Sequence, residues 1–168
     1  MTLNQNKNNK ITDIELSKLF SEKEEVTIED SNIVILDACV IISYFLDDIH
    51  SDKSNIIFSF TSLKSKKIVI NQIQLFECRY ILKQAKIINS DVILDTFIID
   101  GKITIYQNSN QDFIVASDFK AKGGISPYDA FPLAQLQAND KAVFITFDKE
   151  FEKYSNELNI IVKSQIIK

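Results

Sequence analysis

The chain has 168 residues with 45% apolar side chains, enough for one domain with its own core. Three glycines exclude a glycine-rich phosphate loop, one histidine excludes an HExxH or Cys2His2 zinc site, and two cysteines exclude a disulfide framework. The net charge of −4 offers no bulk attraction to nucleic acid or an anionic membrane, and with 23 carboxylates the composition most readily supplies oxygen ligands for a hard cation.

Residues 1–10 are rich in Asn and Lys and read as disordered. They hold no apolar stretch of the signal-peptide kind, which together with the two cysteines points to a cytoplasmic location. Thr12 and Glu15 form a T-x-x-E capping box, and Ile11, Ile14, Leu16, Leu19 and Phe20 recur at helical spacing. The pattern predicts one short helix over 13–24, then a charged connection to about residue 31. Residues 1–31 are thus read as an N-terminal extension, and 32–168 as the main domain.

Ile33, Val34, Ile35 and Leu36 have the wholly apolar, β-branched character of a buried parallel strand. The apolar stretch 33–46 is too short, and with Asp37 inside it too polar, to cross a bilayer. Helices are predicted over 40–46 and over 52–63, where Ile56, Ile57, Phe60 and Leu63 share a face. A second strand follows at 67–70, then helices over 72–86 and 91–99. Gly101 turns the chain into a third strand at 103–106. A helix over 111–122 is closed by Gly123 and Gly124, and another covers 127–138. The remainder reads as a strand at 142–146, a helix over 147–157 and a last strand at 160–162. Short apolar strands separated by helices predict an α/β fold with a central, mostly parallel five-stranded sheet. The strand at 33–36 should be central, because so hydrophobic a strand needs cover on both faces.

Ligands of open α/β sheets lie outside the carboxyl ends of the strands, so acids that end strands or open helices are the ones to weigh. Asp37 directly follows the first strand, where a bare carboxylate beside hydrocarbon is costly unless compensated. It is either an N-cap for the next helix or a metal ligand. Asp148 ends the fourth strand, in V-F-I-T-F-D, with the same two readings. Asp129, in S-P-Y-D, follows a Ser cap and a Pro, and is a good helix opening in its own right. Glu77, in L-F-E-C-R, lies inside a helix between apolar neighbours that suggest partial burial, with Arg79 as an alternative surface partner.

Taken in order, an Asp after the first strand, a Glu in a helix, an Asp opening a later helix and an Asp after the next strand resemble the PIN-domain family of metal-dependent nucleases. The resemblance is strongest to the VapC-type toxin ribonucleases of bacterial toxin–antitoxin pairs. It is carried by ILDACVIISYF, INQIQLFECRYIL and SPYDAFPLAQLQANDKAVFITFDKEF, and it spans about residues 32–163. It implies a three-layer α/β/α fold, and it maps the family's catalytic, metal-holding carboxylates onto Asp37, Glu77, Asp129 and Asp148. Four converging acids repel one another; Mg²⁺ or Mn²⁺ would relieve that repulsion and activate water for in-line attack on a phosphodiester. The implied protein is an endoribonuclease that leaves 5′-phosphate and 3′-hydroxyl ends, with RNA as substrate, an antitoxin as partner and a homodimer as the expected assembly.

Other residues carry lesser roles. Thr146 resembles the hydroxyl residue two before the family's last Asp, and Cys39 stands where many members have Asn or Ser; both are candidate supporting residues. Their bland readings are a β-strand Thr and a structural thiol, the latter shared with Cys78. Lys64, Lys66, Lys67, Lys120 and Lys122 are candidate RNA-phosphate contacts or solvated loop charge. His50 reads as a solvated surface residue. Many of these toxins begin directly with the first strand, whereas this chain carries about 31 residues before it. Two further functions fit the residues: a housekeeping RNA-processing nuclease without an antitoxin, and a non-catalytic PIN-like module that binds RNA or protein. A receiver domain needs an acidic pair after the first strand, and a haloacid-dehalogenase-type phosphatase needs Asp at position 39; Leu36-Asp37-Ala38-Cys39 meets neither requirement.

Overall fold

The computed structural model of the chain describes residues 18–164. Its first complete element follows from a capping box. The Ser21 hydroxyl accepts from the Glu24 amide, and the Glu24 carboxylate accepts from the Ser21 amide, which opens α1, Glu22–Asp30. A helix therefore stands where the sequence predicts a charged connection. Lys18 and Leu19 are helical and the chain bends at Phe20, so the helix predicted over 13–24 is broken at the new cap. The Thr12–Glu15 box and the tail 1–10 lie outside the described residues.

The remaining elements are β1, Ile33–Leu36; α2, Ala38–Leu46; α3, Ser51–Leu63; β2, Lys67–Asn71; α4, Gln72–Gln84; and α5, Ser90–Asp100. There follow β3, Thr104–Tyr106; α6, Asn110–Lys122; α7, Ala130–Gln137; β4, Ala142–Thr146; a 3-10 helix, Lys149–Tyr154; and β5, Ile160–Val162. The five strands lie in the order β3-β2-β1-β4-β5 and every ladder is parallel, so the sheet is wholly rather than mostly parallel. β1 is central, as its hydrophobicity requires, with Val34, Ile35 and Leu36 fully buried.

Strand alternation sorts the interior into two cores, one on each face of the sheet. Val34, Leu36, Ile70, Val143 and Ile145 meet Ile41, Ile57, Phe60, Leu82 and Leu94 from α2 to α5. Ile35, Phe144 and Ile160 meet Ala116, Phe119, Leu133 and Leu136 from α6 and α7 on the other side. The result is three layers, helices on both faces of one sheet. Leu19, Phe20 and Ile28 pack into the first of these cores, and the Phe20 ring lies 5.5 Å from that of Phe60.

Two helix predictions shift for local reasons. The segment read as a helix over 147–157 is the shorter 3-10 helix, capped by the Asp148 side chain, which accepts from the Glu150 amide. The helix read from 127 is assigned only from Ala130. Ser126 does open the preceding turn, its hydroxyl accepting from the Asp129 amide at 3.1 Å. Among the described residues no helix is long and apolar enough to cross a membrane.

Candidate active site

β1 and β4 run in register, with Leu36 opposite Ile145, so their carboxyl ends arrive at one edge of the sheet. Asp37 occupies the N-cap position of α2 but makes no capping bond with its side chain. Its carboxylate turns instead to the sheet edge. Oδ1 accepts from Gln74 Nε2 at 2.6 Å, and Oδ2 accepts from Thr146 Oγ1 at 2.5 Å and from Cys39 Sγ at 3.1 Å. All three donors are neutral. Burial pushes the Asp37 carboxyl up to about 7, against the pull of the Thr146 and Cys39 bonds and reinforced by the charges of Asp129 and Glu77.

The hydroxyl of Thr146 also accepts from the Asp148 amide at 2.9 Å, and Cys39 Sγ accepts from the Phe147 amide at 3.3 Å. The end of β4 is thereby tied to Asp37, and both residues expected to support the site touch it. The Cys39 thiol is pushed well up by burial and by the Asp37 charge, so it stays protonated as a donor.

Asp148 caps the 3-10 helix through Oδ1, accepting from the Glu150 amide at 2.8 Å, so for this residue the capping reading is realised. Asp129 is half-buried, and its carboxylate makes no capping bond. Burial raises its proton affinity; the Ser126 bond opposes this, and the charges of Asp148 and Glu150 add to it. Glu77, half-buried on α4, is raised by burial and by Asp129. The four acids therefore act on one another electrostatically at the carboxyl edge of β1 and β4.

Among the described residues no three His, Cys, Asp or Glu side chains form a ready-made metal cage. The donor set nevertheless fits a hard divalent cation, since it consists of mutually repelling oxygen donors. Mg²⁺ needs only one or two carboxylates and keeps several waters.

The lysines divide. Lys67 opens β2 opposite Ile33, the first residue of β1, and so lies at the amino edge, away from the acids. Lys64 pairs with Glu29 at 2.5 Å, and Lys66 donates to the carbonyls of Glu29 and Ser31. The structure does not bring these three to the site. Lys120 donates to the Ile125 carbonyl at 2.9 Å, in the turn that leads to Asp129, and Lys122 lies 5.4 Å from the Phe119 ring centre. His50 is not a solvated residue. It is half-buried and stacked on Phe147 at 4.7 Å, and burial pushes its pKa down. Cys78 is buried, as expected.

Two residues at the site escape the sequence reading, Gln74 and Glu150. Gln74 leaves a trace: it is a polar residue at the i, i+4, i+8 spacing of Cys78 and Leu82, on an otherwise apolar face. Asn71 caps α4 just before it, accepting from the amides of Ile73 and Gln74 at 3.0 Å each.

A family model described as PIN domain matches residues 34–157, most of the chain and all four acids. The chain belongs to the PIN domain family. PIN domains are generally nucleases, which supports hydrolysis of nucleic acid by this chain. Among the solved structures that share this fold are the following two. One is a toxin–antitoxin complex from Klebsiella pneumoniae, 14% identical, covering 77% of this chain and 97% of that one at a TM-score of 0.55. The other is VapBC2 from Rickettsia felis bound to a DNA fragment from their promoter, 19% identical, covering 77% and 98% at a TM-score of 0.61. Comparison with curated protein sequences finds no match.

Proposed function

We propose that this PIN domain is a VapC-like toxin, a divalent-metal-dependent endoribonuclease whose activity an antitoxin restrains. The observation that carries the reading is the group of acids at one sheet edge, three of them with raised proton affinity and with Asp37 bonded only by neutral donors. Such a group is unfavourable in isolation and becomes favourable around a cation.

Asp37, Glu77, Asp129 and Asp148 would hold Mg²⁺ or Mn²⁺, directly or through water. When bound, the cation supplies positive charge and Lewis acidity to the scissile phosphate and the attacking water. Asp37, hydrogen-bonded on both oxygens, would be the ligand fixed in place before the cation arrives. Glu77 and Asp129 are half-buried and, without a cation, hold protons more tightly than ordinary carboxylates because of burial and neighbouring negative charge, a cost that a bound cation would offset. Without the cation the edge repels phosphate, so substrate binding and metal binding go together. One solved neighbour is a toxin–antitoxin complex and another is a VapBC2 assembly on promoter DNA, which supports a protein partner for this chain as well.

The test is cleavage of a panel of RNAs by the full chain with Mg²⁺, Mn²⁺ or EDTA, for the wild type and Asp37→Asn. The reading predicts cleavage that requires the cation and is lost in the variant. Cleavage that persists in EDTA or in Asp37→Asn contradicts it.

A further inference from the structure

We propose that Gln74 is a positioning residue of this site, its side-chain amide fixing the Asp37 carboxylate in the orientation that receives the divalent cation. The inference rests on the reading of the acids given above, and it concerns a residue outside the four.

Gln74 is fully buried, on the face of α4 that also carries Leu75, Cys78 and Leu82. A leucine there would pack without any polar demand. The glutamine meets only half of its own: Nε2 donates to Asp37 Oδ1 at 2.6 Å, while Oε1 is buried with no hydrogen-bond partner among the described residues. Turning the amide over would set Oε1 against a carboxylate oxygen, so Asp37 dictates which way the amide faces. An imperfectly satisfied amide in a core position, with Asp37 as its side-chain partner, is poor design for stability and good design for aiming a carboxylate.

The surroundings act in the same direction. Asn71 fixes the backbone of Gln74 by capping α4. Thr146 and Cys39 hold the other oxygen of Asp37. With neutral donors on both oxygens the carboxylate is held in place without a fixed cation beside it, whereas a lysine or arginine in place of Gln74 would itself pair with Asp37.

The experiment measures Mn²⁺ binding by calorimetry on the full chain, together with RNA cleavage, for the wild type, Gln74→Met, Gln74→Asn and Asp37→Asn. Methionine keeps the length and bulk but deletes the donor; asparagine keeps the amide but stops short of Asp37. Thermal unfolding in EDTA checks that each variant folds, and the asparagine variant serves if the methionine variant does not. Both Gln74 variants should bind Mn²⁺ about 10–100-fold more weakly. At saturating Mn²⁺ they should lower kcat and leave KM for RNA unchanged, whereas a purely structural role would move only the melting temperature. Wild-type Mn²⁺ affinity in the Gln74 variants, with binding lost in Asp37→Asn, overturns the role of Gln74 alone. Unaltered binding in Asp37→Asn, or none in the wild type, overturns the metal-site reading and the role of Gln74 with it.

Discussion

Asp91 and Asp37 are the same side chain in opposite circumstances. Asp91 lies on the seam between α4 and α5, where Lys83 and Arg79 close on it at 2.8 and 3.0 Å and hold its carboxyl below the usual range. Asp95 beside it takes the other arm of Arg79 at 2.5 Å. Glu29 and Glu24 are served in the same way by Lys64 and Lys163. At the carboxyl edge of the sheet the pattern reverses. Asp37, Glu77 and Asp129 are all raised, by burial first and then by neighbouring acids: Asp129 and Glu77 act on Asp37, Asp129 on Glu77, and Asp148 and Glu150 on Asp129. A chain with nearly as many cations as anions has placed its pairs around the periphery and left unbalanced the one edge where the fold gathers ligands. Such an arrangement costs stability, and it is what the proposed cation site requires.

The largest expected effect separates the two regions by activity. Asp37→Asn should lower cleavage by roughly a hundredfold or more, as loss of a direct ligand exceeds the ~10–100-fold typical of an outer-shell partner. Arg79→Ala, which strips the seam, should leave the rate unchanged. Equal losses in a cleavage assay would erase the distinction between the regions.

A second comparison asks what stabilises the periphery, charge or packing. Phe20 is buried against Phe60 in the larger core, and Phe20→Ala should cost about 3–5 kcal/mol in urea unfolding. A cost below about 1 kcal/mol would mean that the residues before β1 are separable from the domain.

The third prediction uses pH. A carboxyl whose folded-state pKa is raised from 3.8 to about 7 binds its proton more tightly in the folded chain than in the unfolded one. Its contribution is therefore present at low pH and lost as pH climbs from about 4 through 7, on the order of a few kcal/mol in all. Thermal unfolding in EDTA should show Asp37→Asn gaining on the wild type across this window and remaining more stable at pH 8. Glu77 and Asp129 act in the same sense, whereas the paired Asp91 and Glu29 act in the opposite one. Parallel curves for the two proteins would show that Asp37 is not perturbed.

The smallest effect belongs to the seam. Its pairs are partly exposed, so Arg79→Ala should cost only about 0–1 kcal/mol, and less in high salt. A larger, salt-insensitive loss would show that the seam is more than a screened surface network.

Much of this was legible in the sequence because strands of a parallel sheet are written in continuous apolar runs. Ile33–Leu36 announced both its own burial and its central place, and the acids Asp37 and Asp148 were conspicuous because they follow such runs. The helix Glu22–Asp30 was hidden because E-K-E-E reads as solvated connection, and only the Ser21–Glu24 box betrays it. Position 74 was hidden because a helical glutamine ordinarily faces water; its register with Cys78 and Leu82 is visible only once that face is known to be buried. Lys67 misled for a simpler reason. A residue that opens a parallel strand lies at the amino edge whatever its charge, a strand's length from the ligand-binding end.

The most direct test of the account is a crystal structure of the full chain grown with Mn²⁺, read by the anomalous signal of the metal. The account predicts a peak between the carboxyl ends of β1 and β4, with at least one oxygen of Asp37, Glu77, Asp129 or Asp148 as a direct ligand at about 2.0–2.2 Å. A peak only among the paired acids of the α4–α5 seam, or none at the sheet edge at saturating Mn²⁺, would contradict it.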